Sequence, residues 1–404
     1  MTQTTSTGNR GEKIRSDCHV DLEICQSGGI VIELKSKVEK LFGEQIRRDA
    51  DAVLRALGVA HARISIHDTG ALPFVLAARI EAAVKRLLPG LPCYLPELLP
   101  QNAYETQKEQ FRFSRLYLPG NTPSMMLNAG IHQPNGIILD LEDSVAADKK
   151  DEARLLVRNA LRAVDFYGAE RMVRINQLPG GLDDLEDIVP HFVHLILIPK
   201  CEHAAQVQQV DQRIRQILKD EGQDREVFLM PIIESALGVE HAFEMASAAE
   251  SVVALAIGLE DYTADMGVAR TKGGEESLYA RMRMVNACKA AGIQAIDSVF
   301  SDVADMDGLR ENVRQSRALG FEGMGCIHPR QVPVIHEGFS PTPGELEKAR
   351  KIMEAFADAK ARGLGVISLG TKMIDPPVVK RAERTMALAS ELGLLEDINA
   401  KNHE

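Results

Sequence analysis

The chain has 404 residues, of which 45% are hydrophobic and 26% charged, and its net charge is −11. That length sets an expectation of more than one domain, and the acidic balance, without a block of Lys and Arg, argues against nucleic acid as a main partner. The longest apolar runs, such as VVALAIGL at 252–259, fall far short of a membrane span, and the polar N-terminus carries no signal-peptide core.

The cysteines are scattered at 18, 25, 93, 201, 288 and 326 without a CxxC pair. Reduced structural thiols in a cytoplasmic protein are therefore expected.

Residues 1–15 read as a flexible tail. Two strand-like segments follow, HVDLEIC (19–25) and GIVIELK (29–35), with Gln26-Ser27-Gly28 between them as a hairpin signal. An amphipathic helix is predicted from Lys37 to Leu57, a strand at ARISIHD (62–68), and a second helix from Leu72 to Leu88. Together, residues 16–88 form a small α+β unit of order ββαβα. The prolines at 89, 92, 96 and 100 then forbid helix, so 89–110 reads as a linker whose apolar residues pack against a neighbour.

From residue 111 the pattern alternates strand and helix. Eight apolar runs are predicted as strands: 113–120, 136–143, 171–176, 194–200, 227–234, 252–261, 293–300 and 321–329. Near-continuous apolar runs suit parallel strands covered on both faces. Helical patterns such as 150–164 and 204–222 separate them. Eight such units point to a (β/α)₈ barrel over 111–340, followed by a helical C-terminal extension, 341–404. A doubly wound open sheet is the alternative, but no GxGxxG follows any strand.

Barrel chemistry sits at the C-terminal ends of strands. Those ends carry Arg115, then Asp140, Glu142 and Asp143, then Arg174 and Asn176, then Lys200, Glu234, and Glu260 with Asp261. Strand alternation puts Asp140 and Glu142 on one side and Asp143 on the other. It lets only one of Glu260 and Asp261 face the mouth, and leaves open which. Several carboxylates in one concave site call for a cation, and oxygen donors without His or Cys clusters favour Mg²⁺ over Zn²⁺. No GxSxG elbow, P-loop or catalytic-Cys signature is present, and His328, in CIHP, reads as structural.

These motifs carry a family resemblance. DLEDSVAADKKDEAR (140–154), VRIN (173–176), IPK (198–200), ESALG (234–238), GLEDYTADMG (258–267), RTKGGEE (270–276), AIDSVF (295–300), GFEGMGCIHPRQV (320–332) and TKMIDPPVVKRA (371–382) resemble the citrate lyase β-subunit and HpcH/HpaI aldolase family, which includes malyl-CoA lyases. The resemblance spans about 111–385 and itself implies a TIM barrel. It implies Glu234 and Asp261 as Mg²⁺ ligands and Arg174 as the clamp on a substrate carboxylate. Asp140 and Glu142 become acids holding metal-bound waters, and Arg115 assists at the acyl or substrate end. Asp375 matches an aspartate that some relatives extend into a neighbouring subunit's site, although LGTK precedes it where the family has DGK.

SKVEKLFGEQIRR (36–48) and HDTGALPFVLAARIEAAVKR (67–86) resemble the citrate lyase γ subunit, an acyl carrier protein. That family bears a phosphoribosyl-dephospho-CoA arm on a serine. The matching residue here is Ser16, followed by Asp17 where the family has glycine; Ser27 is a competitor in the turn.

The expected activity is a Mg²⁺-dependent retro-Claisen cleavage of a citryl-type acyl thioester to an oxo acid and an acetyl thioester, with the acyl group on the fused carrier. One alternative is a malyl- or citramalyl-CoA lyase, or a thioesterase, using free CoA esters; another is a non-catalytic carrier or scaffold subunit. A homo-oligomer, trimeric or hexameric, and an acyl-transferring α subunit are the expected partners.

Overall fold

The computed structural model describes residues 3–361, 367–369 and 372–395. The chain divides into two compact units, Met1–Val332 and Pro333–Glu404.

The first unit opens with a four-stranded sheet. Its strands are β1 (Gln3–Thr7), β2 (Cys18–Ile24), β3 (Ile30–Ser36) and β4 (Ala62–Asp68), in the order β1-β2-β4-β3. Two helices cover it, α1 (Glu39–Ala56) and α2 (Pro73–Leu87). The expected tail is corrected here, because Gln3–Thr7 pairs antiparallel with β2 over its whole length. Polar β-branched residues suffice for an edge strand, which needs backbone groups more than an apolar face.

The expected hairpin is also corrected. β4 lies between β2 and β3, antiparallel to the first and parallel to the second. The strict alternation of β4, with Ala62, Ile64, Ile66 and Asp68 buried, suits the sheet centre. The connection widens around it through left-handed Gly28 and Gly29, and Gly29 O accepts from Ala62 N at 3.0 Å.

Residues 89–110 form no strand or α-helix but are fixed in place. Asn102 is buried and donates to the carbonyls of Leu161, Arg162 and Val164, and Tyr104 Oη donates to Ala169 O at 2.5 Å.

Eight parallel strands then close a barrel: β5 (Ser114–Pro119), β6 (Gly136–Asp140), β7 (Glu170–Arg174), β8 (Leu195–Ile198), β9 (Phe228–Ile233), β10 (Ala254–Ile257), β11 (Gln294–Asp297) and β12 (Gly323–Cys326). The predicted strands are all present, each shorter than its apolar run. The terminal polar residues leave the ladder to build the loops at the mouth. Ile138, Met172, Leu197, Met230, Ala256 and Ile296 belong to one buried cluster.

The second unit holds two long helices, Pro343–Ala361 and Pro376–Glu391, and a small antiparallel ladder of β13 (Ile367–Leu369) and β14 (Lys372–Ile374). The extension is thus not purely helical. Gly370 and Thr371, in the LGTK stretch, lie outside the described residues, as do Met1, Thr2 and 396–404. Among the described residues, no helix is long and apolar enough to cross a membrane.

Candidate active site

The C-terminal ends of the barrel strands open into a cavity of about 770 Å³. Arg115, Asp140, Asp143, Arg174, Glu234, Glu260 and Asp261 all line it. Strand polarity explains the convergence of the acids, Arg174 and their neighbours: parallel strands place their C-terminal ends, and the polar residues that follow them, on one rim. Arg115 corrects the strand-end expectation, because it is the second residue of β5 and lines the cavity from the start of its strand.

Arg174 ends β7 and lies against Asp140, the last residue of β6. Arg174 Nε donates to Asp140 Oδ1 at 2.6 Å and Nη2 to Oδ2 at 2.8 Å. Arg174 Nη1 sits 3.0 Å from Glu142 Oε2. Asp140 also accepts from the backbone N–H groups of Glu142 and Ser144. Burial pushes the Asp140 carboxyl up, but the Arg174 hydrogen bonds outweigh it and hold the group below its usual range. Asp140 is thereby a fixed anion that aims Arg174. Glu142 is held low in the same way, with burial outweighed by a hydrogen bond from Gln177 and the charges of Arg174 and Lys200.

Asp143 departs from the alternation expectation. Residues 141–143 have left the strand, so period-two reasoning no longer applies to them. Asp143 lines the cavity and lies 3.8 Å from Arg174 Nη1 and 3.7 Å from Lys200 Nζ, while Glu142 is 2% exposed.

The same correction applies to Glu260 and Asp261. β10 stops at Ile257, and both acids sit in the first turn of a short helix, Leu259–Asp265. On a helix, adjacent side chains point about 100° apart, so both can reach the rim. Glu260 pairs with Arg270 at 2.7 Å, whereas Asp261 accepts from Lys200 Nζ at 3.3 Å. Asp265 accepts from Ala236 N at 2.8 Å and so braces the loop that carries Glu234.

Glu234 follows β9 and is 5% exposed. Its Oε1 accepts from Lys200 N at 2.9 Å. A Cβ at Gly258 would lie 2.8 Å from Glu234 Oε2, so glycine is what lets the carboxylate approach this strand end. Burial first, and then the nearby Asp261 carboxylate, push the Glu234 carboxyl up to about 8. Two neighbouring carboxylates with one so strongly raised make a natural cation site. Among the described residues no group of three or more His, Cys, Asp or Glu side chains is arranged so that it could hold a metal ion by itself. Two carboxylates fit Mg²⁺, which keeps waters, better than Zn²⁺, which takes a fuller protein shell.

Arg115, on β5, is 1% exposed, and its Nη1 donates to Met230 Sδ at 2.9 Å. Its Nε makes no hydrogen bond, and among the described residues no carboxylate forms an ion pair with it. Burial lowers its affinity for the proton. A buried cation lining the cavity without a counter-ion suits an anionic or strongly polar ligand group.

Lys200 is the residue that sequence reasoning undervalued. Its ammonium lies 3.4 Å from Glu142, 3.7 Å from Asp143 and 3.3 Å from Asp261, and its backbone is left-handed with φ 47°. The signal was a lysine directly after an apolar strand. Asp375 belongs to the second unit and caps the helix that follows it, Oδ1 accepting from Val378 N at 3.2 Å. Ser16 is half-buried with φ 54°, and its N–H donates to Thr69 O at 3.2 Å.

A closed eight-stranded parallel barrel with this set of acids and cations at its C-terminal mouth is the architecture of a barrel enzyme. Residues 114–329 match the family model described as HpcH/HpaI aldolase/citrate lyase, and the chain belongs to that family. Residues 8–87 match a second model, an acyl carrier protein family described as malonate decarboxylase delta subunit. The chain is 39% identical to the citrate lyase subunit beta of Leuconostoc mesenteroides subsp. cremoris over 71% of its own length and 96% of the relative's. It is 32% identical to the mitochondrial citramalyl-CoA lyase of Homo sapiens, over 77% and 95% of the two chains. A crystal structure of CitE from Mycobacterium tuberculosis with magnesium, acetoacetate and coenzyme A is 28% identical, covers 70% of this chain and 100% of its own, and superposes with a TM-score of 0.59.

Proposed function

We propose that this chain cleaves a carbon–carbon bond of a citryl-type acyl thioester, releasing an oxo acid and an acetyl thioester, with the acyl group carried on its own N-terminal domain. The observation that carries this is that Glu234, just after β9, and Asp261, in the first turn of the helix after the neighbouring β10, line the same cavity as the Asp140-aimed Arg174.

In the proposed reaction, the substrate hydroxyl loses its proton and its carbon becomes the carbonyl of the oxo acid. The adjacent C–C bond breaks, and its electron pair passes into the thioester as an enolate, which then takes a proton at carbon. Arg174 binds the carboxylate of the leaving oxo acid. Three of its five N–H groups face Asp140 and Glu142, which leaves donors for a ligand. Glu234 and Asp261 would hold Mg²⁺, which when bound supplies Lewis-acid stabilisation of developing negative charge on oxygen. Arg115 faces the acyl end. Asp375 from a neighbouring chain, or a water held by Glu142, returns the proton to the enolate. The hydroxyl proton passes to water at the mouth of the cavity.

The carrier reading places a covalent phosphoribosyl-dephospho-CoA arm on Ser16. A cytoplasmic trimer or hexamer served by an acyl-transferring α subunit completes it. The similarity to a citramalyl-CoA lyase supports a second reading, in which the barrel takes free CoA esters and the N-terminal domain is unmodified.

One measurement tests the metal assignment, and a second separates the two readings. Asp261→Asn should abolish Mg²⁺-dependent cleavage, and unchanged turnover would overturn the metal assignment. Intact mass of protein from its native host should show an adduct on Ser16; its absence, together with turnover of free CoA esters, favours the second reading.

A further inference from the structure

The N-terminal domain and the barrel meet along α2 and the barrel helix Lys150–Ala163. From Phe74 to Val84 every residue of α2 is buried. Leu76, Ala77, Ile80, Ala83 and Val84 belong to the core of the small domain, but Phe74, Val75, Ala78, Arg79, Glu81 and Ala82 are buried outside it. A helix covered on all sides is an interior helix, and the second cover here is the barrel.

The polar groups on that second face are matched across the junction. Arg79 donates to both oxygens of Asp17 at 3.0 and 2.9 Å and to Asn121 Oδ1 at 2.6 Å, and it lies 3.4 Å from Glu152. Arg158, from the barrel helix, donates to Glu81 Oε1 at 3.0 Å and Oε2 at 2.5 Å. Asn159 Nδ2 donates to Phe74 O, and Gly8 N to Glu152 Oε2 at 2.8 Å. Side chains of Arg79, Glu81, Glu152 and Asn159 are fully buried.

The junction also fixes Ser16. Its neighbour Asp17 is 1% exposed, and Asn9 Nδ2 spans from Asp17 Oδ2 at 2.9 Å to Asn121 O at 3.0 Å. Asn121 lies in the first strand-to-helix loop of the barrel, between Pro119 at the end of β5 and Ser124 in the short helix that follows, and both of those residues line the cavity.

We infer that the carrier domain does not swing but is locked to the mouth of its own barrel, so that an arm on Ser16 serves the barrel of the same chain. Asp17, Arg79 and Asn121 act as positioning residues for the attachment point. Domains joined by small polar junctions move by default; a junction with an interior helix and matched buried charges does not. The arm alone travels, and a short fixed tether raises its effective concentration at the cavity. The inference rests on the carrier reading of Ser16 proposed above.

The test is complementation in the native host, with two full-length variants co-expressed: Ser16→Ala, which has no arm, and Asp261→Asn, which has no metal site. Delivery within one chain predicts turnover no higher than either variant alone. Recovery by about tenfold or more would mean the arm of one chain serves another barrel, and would overturn the inference.

Hydrogen exchange on the unmodified and the modified chain gives a readout independent of activity. Residues 8–18 should stay protected until the barrel itself opens. Their exchange by a separate opening about 100-fold faster than the barrel helix would also overturn it. Loss of the Ser16 adduct from the wild-type chain overturns the carrier reading and the inference together, whereas an adduct with complementation overturns the inference alone.

Discussion

Arg174 and Asp140 meet end to end across adjacent strands, with two parallel hydrogen bonds of 2.6 and 2.8 Å. Their Cα positions are paired in the β6–β7 ladder, so the sheet register itself sets the geometry. A planar guanidinium fixed on one edge by a carboxylate can present its remaining donors in only one direction.

That relationship predicts the behaviour of two variants. Asp140→Asn removes one acceptor charge and frees Arg174 to rotate, and turnover should fall about 100-fold while the fold persists. Arg174→Lys keeps the charge but loses the planar fork, and should raise KM for the substrate as well as lowering kcat. Steady-state kinetics on both, beside circular dichroism, decides it. An Asp140→Asn variant with wild-type kcat would remove the positioning role.

Gly258 gives a finer probe of the carboxylate pair. Its φ of −105° suits any residue, so alanine brings no backbone strain. The added Cβ would meet Glu234 Oε2 at 2.8 Å, and the carboxylate, at the far end of its side chain, is displaced rather than the strand. Gly258→Ala should therefore leave thermal stability nearly unchanged and weaken Mg²⁺ affinity by about 10- to 100-fold. Titration of activity and of protein fluorescence or calorimetric heat with Mg²⁺ measures the shift. Unaltered affinity would mean Glu234 does not hold the metal from this position.

Much of this was legible in the sequence. The eight apolar runs mark the eight strands because parallel strands covered on both faces need continuous apolar residues, and Asp140, Arg174 and Glu234 sit where strand polarity puts them. Glu260 and Asp261 are misplaced on a strand because the apolar run of LAIGLED continues to Leu259 past its one break signal, Gly258, where in the fold the turn into a helix begins. The Arg79–Asp17 and Arg158–Glu81 pairs join residues more than sixty positions apart, and no local pattern encodes such partners. β1 escaped notice for a related reason: its stability comes from the ladder with β2, not from its own polar side chains.

The bottom of the barrel carries a stability test. Arg112 and Glu170 are both fully buried and joined by hydrogen bonds of 2.7 and 2.8 Å. Removing one partner leaves a buried charge uncompensated, which costs about 3–5 kcal/mol. Glu170→Leu should lower the denaturant midpoint accordingly, and the double replacement Arg112→Met with Glu170→Leu should recover most of that loss. Equal destabilisation by the single and double variants would mean the pair itself, rather than the stranded arginine, is what matters.

His191 and His194 predict how stability falls in acid. Burial, reinforced by Arg162 beside His191 and by Arg171 beside His194, pushes both imidazoles down to about 3. His194 Nδ1 accepts from Arg171 N at 3.0 Å, so protonation there would break a buried hydrogen bond. In the unfolded chain the same groups titrate near 6.5. Between roughly pH 6.5 and 3 the unfolded state thus binds two more protons than the folded state at these sites, and unfolding free energy rises with pH. Stability is then fully present above about pH 6.5 and is lost as pH falls through that window, at up to about 2.7 kcal/mol per pH unit from the pair. Urea denaturation across pH 4 to 8 should show this loss, and His194→Gln should shallow the slope by about half. A slope unchanged by that substitution would place the acid sensitivity elsewhere in the chain.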